Sequence, residues 1–186
     1  MRVSWVIGGG GLLGSALSRE LFARGEFLFV YREVFCWNDD QTLAEQLKDA
    51  VLDFSLKASM AESWEVYWAA GVGTMGATEE KLLSETLALS QLLSCLRSNE
   101  RLMATRGSIT FSSSAGAIYA GCKDPIITEK SAIAPTTPYA HAKLQQEKLL
   151  IDFVKESRYT DLLIARMSTL YGLGQSEGKS QGLLTH

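Results

Sequence analysis

The stretch Val6–Gly14 reads VIGGGGLLG and spaces glycines 8, 11 and 14 three residues apart. Before it, Val3–Ile7 is a short apolar run that predicts a buried strand. After it, apolar residues recur at helical spacing from Leu12 to Arg24, and a glycine follows as a natural helix stop. A strand, a glycine turn and a helix in this order predict the opening of a parallel α/β sheet.

The spacing of these glycines also predicts a binding site for a dinucleotide. One glycine permits the tight turn, one lets the backbone approach a pyrophosphate, and one lets the helix pack closely on the strand. The helix N-terminus then offers free N–H groups to the phosphates. The predicted phosphate-binding residues are Gly8, Gly11, Leu12, Leu13 and Gly14.

The rest of the chain alternates strands and helices. Further strands are predicted at Phe27–Tyr31, Val66–Ala70, Ser108–Phe111 and Leu162–Ala165. Further helices are predicted at Gln41–Val51, at Thr78–Arg97 with Thr78 as the capping residue, and at Tyr139–Lys155. Val34–Trp37 is either a strand or a loop, because only two residues separate it from the strand before, and a parallel crossover needs a dozen or more. This order predicts an α/β fold of the Rossmann type, a doubly wound parallel sheet in three αβα layers.

Composition narrows the classes of partner. The chain has 186 residues, 46% hydrophobic and 21% charged, with a formal net charge of −3. Nothing in this balance favours nucleic acid or an anionic membrane as a partner. No apolar run approaches the length of a membrane span, and the three cysteines lack metal-ligand spacing, so no metal site is expected. We expect a cytoplasmic protein.

The residue that follows the second strand should lie near the adenosine ribose. Arg32 stands there, 18 residues after Gly14, where an acidic residue would favour NAD. An arginine can instead pair with a 2′-phosphate, because its planar fork suits phosphate oxygens. Arg32 therefore slightly favours NADP, and the alternative is a solvated Arg32 with Glu33 binding the sugar.

Two further motifs carry acid–base chemistry. Tyr139 and Lys143 are four residues apart on a predicted helix, so they share one face. A lysine ammonium beside a phenol is expected to lower the pKa of the tyrosine from about 10 and to let it exchange a proton during hydride transfer. Three hydroxyls, Ser112–Ser114, follow a predicted strand at the sheet edge, and Ser114 is a candidate to bind a substrate oxygen.

In this order the motifs resemble the extended short-chain dehydrogenases/reductases of the NAD-dependent epimerase/dehydratase family. The resemblance rests on Val6–Gly14, Trp68–Gly71, Phe111–Tyr119, Pro138–Lys143 and Arg166–Gly172. It implies Ser114, Tyr139 and Lys143 as the catalytic set, with Lys143 also holding the nicotinamide ribose. It further implies that Ala69, Ala70 and Gly71 run past the cofactor. A nucleotide-sugar substrate, and a homodimer through a bundle of the Thr78–Arg97 and Tyr139–Lys155 helices, are implied in the same way.

The residues after Ser114 distinguish between the reaction types that the resemblance implies. Dehydratases of the family typically carry an Asp-Glu pair there, whereas this chain has Ala115 and Gly116, which cannot transfer protons. An NAD(P)-dependent epimerase or keto-reductase is therefore favoured over a dehydratase. The alternatives are a non-catalytic NAD(P)-binding module and an inactive remnant.

Several positions depart from the family pattern. Glu85 and Thr169 stand where asparagine is common. Family members also continue into a smaller C-terminal region that grips the nucleotide sugar. We therefore expect a cofactor-binding Rossmann domain over residues 1–172 and the start of a missing substrate-binding region over 173–186. Without that region, apolar sheet or helix surface is expected to be exposed.

Overall fold

A computed structural model describes residues 1–71 and 76–172, and the expected start of a substrate region at 173–186 lies outside these residues. The strands are β1 (Arg2–Ile7), β2 (Phe27–Phe29), β3 (Ser63–Trp68), β4 (Gly107–Ser114) and β5 (Thr160–Met167). The helices are α1 (Leu12–Ala23), α2 (Asp40–Ala58), α3 (Glu79–Arg97), α4 (Glu100–Ala104), α5 (Ala115–Ile118) and α6 (Pro138–Glu156). None of these helices is long and apolar enough to cross a membrane.

The five strands form one parallel sheet in the order β2-β1-β3-β4-β5. Helix α3 packs between α2 and α6, while α1 packs against β1 and β2. Because crossover connections are right-handed, α1 lies on the sheet face opposite to these three helices. The order reverses beside β1, so the carboxyl ends of β1 and β3 border the crevice where such sheets bind ligands. The predicted Rossmann-type fold is confirmed.

Side-chain caps fix where the long helices begin. The carboxylate of Asp39 accepts a 2.7 Å hydrogen bond from the amide of Thr42 at the start of α2. Thr78 caps α3 as predicted, and Thr137 caps α6 just before Pro138, whose missing N–H is not needed in a first turn. The cap on α6 matters for function because it sets the helix phase of the residues that follow.

The structure corrects several predicted boundaries. Val34–Trp37 is loop, consistent with the argument from crossover length, and Phe35 stacks on Tyr31 with ring centres 5.2 Å apart. Helix α2 continues seven residues past the predicted end at Val51, because its apolar spacing persists to Ala58. The short helices α4 and α5 were not predicted, since four or five residues are too few to show helical periodicity.

The hydrophobic core lies between the sheet and the layer of α2, α3 and α6. Alternate residues of β1 and β3 point into it, including the fully buried Trp64 and the almost fully buried Trp5. The indole nitrogen of Trp64 donates a 3.0 Å hydrogen bond to the carbonyl of Leu102, so its polar atom is satisfied. This core holds the two strand ends that border the crevice.

The opposite face of the same strands is polar. Glu65, in the middle of β3, accepts hydrogen bonds from Arg2, Ser4, Tyr67 and Ser108 at 2.7–3.4 Å. The expected exposure of apolar sheet or helix surface therefore does not extend to this face of β1, β3 and β4. Exposed apolar side chains do occur elsewhere, on the outer sides of helices and at Leu163 of the edge strand β5.

Candidate functional site

The glycine turn follows β1 and bends the chain back against the end of β3. Gly8 has a φ of +89°, and a Cβ on it would lie 2.5 Å from the amide nitrogen of Ala70. A Cβ on Gly14 would lie 2.1 Å from the carbonyl oxygen of Gly8. Both positions therefore require glycine, one for the turn and the other for the close approach of helix to turn.

Helix α1 begins directly after this turn, with Gly11 as its N-cap. No side chain caps this end, so the amide groups of the first turn, which begins with Leu12 and Leu13, have no side-chain acceptor. The Gly11 carbonyl accepts the first helical hydrogen bond, from Ser15 at 2.9 Å. The positive end of the helix dipole therefore lies at the carboxyl edge of the sheet, beside the reversal of strand order.

Ala69–Gly71 leads away from β3 past the glycine turn and towards α3. The amide of Ala69 donates a 2.9 Å hydrogen bond to the carbonyl of Ile7. At Gly71 a Cβ would lie 3.2 Å from a carboxylate oxygen of Glu85. The small residues at 69–71 thus connect the turn to an acidic side chain of α3.

The three hydroxyls at the end of β4 have separate partners. Ser112 donates to the carbonyl of Trp68 at 2.8 Å, and Ser113 donates to the buried carboxylate of Glu147 at 2.6 Å. Ser114 caps α5 by accepting from the amide of Ala117 at 3.3 Å, and its hydroxyl acts on Tyr139. Only Ser114 of the three interacts with the tyrosine.

Tyr139 stands in the first turn of α6 and is partly buried. Burial raises the pKa of its phenol, and the carboxylate of Glu85 raises it further, while the Ser114 hydroxyl acts in the opposite direction. The expectation that this pKa lies below its ordinary value is therefore wrong. The raised pKa follows first from the burial of the phenol and then from an acidic neighbour on another helix.

Lys143 is buried one turn further along α6, as the spacing of four predicts. Its ammonium donates to the carbonyl of Ser112 at 3.4 Å and lies 5.8 Å from the centre of the Tyr139 ring. Burial lowers the pKa of Lys143, and the carboxylates of Glu85 and Glu147 oppose this shift. Tyrosine, lysine and serine therefore meet at the carboxyl end of β4.

A buried ion pair fastens α6 to the sheet below Lys143. The guanidinium of Arg166 on β5 binds both carboxylate oxygens of Glu147, at 2.9 and 2.7 Å, and also donates to the hydroxyl of Tyr119. Glu147 is almost fully buried and pairs with Ser113 as well. A forked contact of this kind restricts both partners to one geometry.

Arg32 lies after β2, as predicted, but its guanidinium is engaged. Its two terminal nitrogens donate to the carboxylates of Asp49 and Asp53 on α2, and its third nitrogen lies 3.8 Å from a carboxylate oxygen of Glu33. Asp49 also accepts from the hydroxyl of Tyr31 at 2.8 Å, and burial followed by this contact raises the pKa of Tyr31 to about 12. The expected phosphate-binding arginine is thus surrounded by acids.

Two residues of the site were not singled out as functional in the sequence. Glu147 lies four residues after Lys143, so the spacing of α6 already placed it on the same face. Glu85 was noted only as a departure from the family pattern, and its position beside Gly71 depends on how α3 packs against the sheet. The first could have been found from helical spacing, and the second needed the tertiary structure.

The chain matches the sequence model of the NAD-dependent epimerase/dehydratase family over residues 5–186. A comparison with curated proteins finds no match. Among solved structures it resembles UDP-glucose 4-epimerase from Thermotoga maritima with UDP-glucose, at 20% identity and a TM-score of 0.73, covering 100% of this chain and 61% of that one. It also resembles MoeE5 in complex with UDP-glucose and NAD, at 22% identity and a TM-score of 0.70, covering 95% and 57%.

A third similar structure is RMD from Pseudomonas aeruginosa complexed with NADPH, at 20% identity and a TM-score of 0.70, covering 95% of this chain and 56% of that one. Neighbours of this fold thus bind NAD in some cases and NADPH in others. The chain spans about three fifths of the length of these structures. At this identity the likeness shows a shared fold, while the family model covers nearly the whole sequence. The chain belongs to the NAD-dependent epimerase/dehydratase family.

Proposed function

We propose that the protein is an NAD(P)-dependent epimerase or keto-reductase acting on a hydroxyl-bearing carbon of a nucleotide sugar. One observation carries the proposal: a series of neighbouring residues, ending in the electrostatic influence of Glu85, links the glycine turn to the tyrosine and lysine. Gly8 packs on Ala70, Gly71 lies against Glu85, and Glu85 acts electrostatically on both Tyr139 and Lys143. A cofactor site and a proton-transfer site therefore adjoin.

The residues at the glycine turn fit a dinucleotide cofactor. No side chain of residues 8–11 occupies the turn, and no side chain caps the helix that starts there, so backbone amides are available to a pyrophosphate. Ala69–Gly71, with side chains no larger than methyl, borders the same turn. In this proposal Gly8, Gly11, Leu12, Leu13 and Gly14 hold the phosphates and Lys143 holds the nicotinamide ribose.

The chemistry proposed for the chain's own residues is acid–base. A bound nicotinamide supplies the acceptor or donor of hydride. Tyr139, as the phenolate, takes the proton of the sugar hydroxyl as that carbon loses hydride and becomes a ketone, and it returns the proton in the reverse direction. Ser114 donates a hydrogen bond to the reacting oxygen, and the ammonium of Lys143 opposes the unfavourable effects of burial and of Glu85 on the phenolate. Each of these residues touches the reacting atoms or the cofactor.

Several finer points belong to the same proposal. Ala115 and Gly116 form the first turn of α5 and offer no acid or base, which supports an epimerase or reductase over a dehydratase. A homodimer through α3 and α6 is supported by the exposed Leu83, Leu87 and Ile151 on these helices. The cysteines, all free, support a cytoplasmic location because thiols persist in reducing compartments.

Two measurements on the Tyr139→Phe variant test the proposal. We expect turnover of a panel of UDP-sugars to fall about 100-fold or more, because the proton acceptor is lost. Binding of NADH and NADPH, followed by energy transfer from tryptophan to the reduced nicotinamide, should change by no more than about twofold. The matched control is Tyr159→Phe, an exposed tyrosine next to β5. A folded chain that binds neither cofactor contradicts the proposal, as does undiminished turnover by Tyr139→Phe.

A further inference from the structure

The acidic surroundings of Arg32 bear on which form of the cofactor is bound. Asp49 and Asp53 are four residues apart on α2 and therefore share one face of that helix. Together they accept one hydrogen bond from each terminal nitrogen of the Arg32 guanidinium, and these nitrogens are the atoms that a phosphate fork would use. We call Asp49 and Asp53 the acidic clamp.

The clamp holds the residue that is expected near the adenosine ribose of a dinucleotide. In the sheet, Trp5 of β1 is level with Phe29, the last residue of β2, and Arg32 follows Phe29 by three residues, as Gly8 follows Trp5. In doubly wound folds, the residue after the second strand contacts the ribose hydroxyls of NAD or the 2′-phosphate of NADP. The ion pairs of Arg32 therefore determine the local charge around the ribose hydroxyls of NAD or the 2′-phosphate of NADP.

The local charge balance opposes a phosphate. The single positive charge of Arg32 faces Asp49 and Asp53, and Glu33 adds a third carboxylate 3.8 Å from the guanidinium. A 2′-phosphate bound to Arg32 would lie next to these carboxylates, and like charges in contact are strongly disfavoured. A ribose diol is neutral and donates hydrogen bonds, so a carboxylate accepts it without such a cost.

We propose that the acidic clamp makes this protein prefer NAD over NADP, in place of the preference that Arg32 alone indicates. The proposal rests on the proposed function, since it assumes that the glycine turn holds a dinucleotide. It assigns Asp49 and Asp53 as specificity-determining residues on a helix that does not contribute to the glycine turn. In this proposal the clamp neutralises the positive charge of Arg32.

The test is a titration of the chain with NADH and, separately, with NADPH at low salt. We expect NADH to bind at least about tenfold more tightly. The double variant Asp49→Asn/Asp53→Asn should shift the ratio towards NADPH by about tenfold or more, because Arg32 is released and two negative charges are removed. The matched control, Asp152→Asn, removes a carboxylate held by Lys148 and Lys155 on α6 and should leave the ratio unchanged.

The outcomes separate this inference from the function on which it rests. Tighter binding of NADPH by the unaltered chain overturns the inference and leaves the function standing, and so does an unchanged ratio in the folded double variant. Failure of the folded chain to bind either cofactor would contradict the proposed function itself. If the double variant does not fold, the salt dependence of the unaltered chain is measured instead. Salt screens exposed charges, and the Debye length changes about threefold between 0.05 and 0.5 M salt. The preference for NADH over NADPH should therefore weaken over this range. A ratio independent of salt overturns the inference.

Discussion

Ser113 of β4 donates a 2.6 Å hydrogen bond to the carboxylate of Glu147, one helical turn beyond Lys143 on α6. Arg166 of β5 donates hydrogen bonds to both oxygens of the same carboxylate. Two neighbouring strands therefore bind one residue of α6, which lies one helical turn beyond Lys143.

The first prediction concerns the stability that this network supplies. Glu147→Gln removes the negative charge but keeps the size of the side chain, so the guanidinium of Arg166 loses its only carboxylate partner among the described residues. We expect the free energy of unfolding to fall by about 3 kcal/mol, measured by urea denaturation. Glu156→Gln on the same helix breaks the exposed pair with Arg97 and should cost less than about 1 kcal/mol. Equal losses for the two variants would contradict the prediction.

The second prediction concerns the ionisation of Tyr139. The Glu85 carboxylate raises its pKa, so Glu85→Gln should lower that pKa and shift the onset of phenolate formation to lower pH. The measurement is phenolate absorbance near 295 nm against pH, with the Tyr139→Phe spectrum subtracted to isolate one tyrosine. Glu80→Gln, an exposed acid in the first turn of the same helix, is the control. A shift to higher pH, or equal shifts in both variants, would rule out this role of Glu85.

The third prediction concerns the close approach at the glycine turn. A Cβ on Gly14 would overlap the carbonyl of Gly8, so Gly14→Ala should lower the free energy of unfolding by more than about 2 kcal/mol and abolish NADH binding. Gly10→Ala is the matched control, because nothing lies within 4 Å of its Cβ position. That variant should stay within about 0.5 kcal/mol of the original chain. Similar stabilities for the two variants in thermal and urea unfolding would show that the approach is not as close as described.

The fourth prediction concerns a buried amide between α3 and α6. Gln146 donates to the hydroxyl of Thr86 at 3.1 Å, but its side-chain oxygen is buried without a hydrogen-bond partner among the described residues. Thr86 still donates to the carbonyl of Leu82 when Gln146 is replaced. Gln146→Leu should therefore leave the free energy of unfolding unchanged or raise it by up to about 1 kcal/mol. The control is Gln145→Leu at the exposed neighbouring position. A lower free energy of unfolding for Gln146→Leu in urea denaturation would refute the prediction.

Local patterns were enough to predict the fold and the positions of the candidate site. The glycine spacing indicated a strand, a turn and a helix, and the spacing of Tyr139 and Lys143 placed both on one face of α6. These are short-range properties, because helix phase and backbone turn geometry depend on neighbouring residues. The capping residue Thr78 was predicted for the same reason.

The electrostatics of the site could not be predicted in this way. The carboxylate of Glu85 reaches Tyr139 from α3, and the acidic clamp reaches Arg32 from α2, so both effects join residues far apart in the chain. The sequence of the Tyr139–Lys143 motif alone indicated a lowered tyrosine pKa, and the structure gives the opposite direction. Burial and neighbouring charges, both set by tertiary packing, decide such pKa shifts, and residue spacing within one helix does not reveal them.

The polar face around Glu65 also bears on how the strands find their partners during folding. Along β3, tryptophan and valine alternate with glutamate and tyrosine, so a slip of one residue against β1 or β4 would exchange the two sets. Glu65 would then be driven among the tryptophans of the core without its hydrogen-bond donors, while Trp64 would face outwards. Misregistered pairings are therefore heavily penalised, and the alternation narrows folding to a single alignment of the central strands.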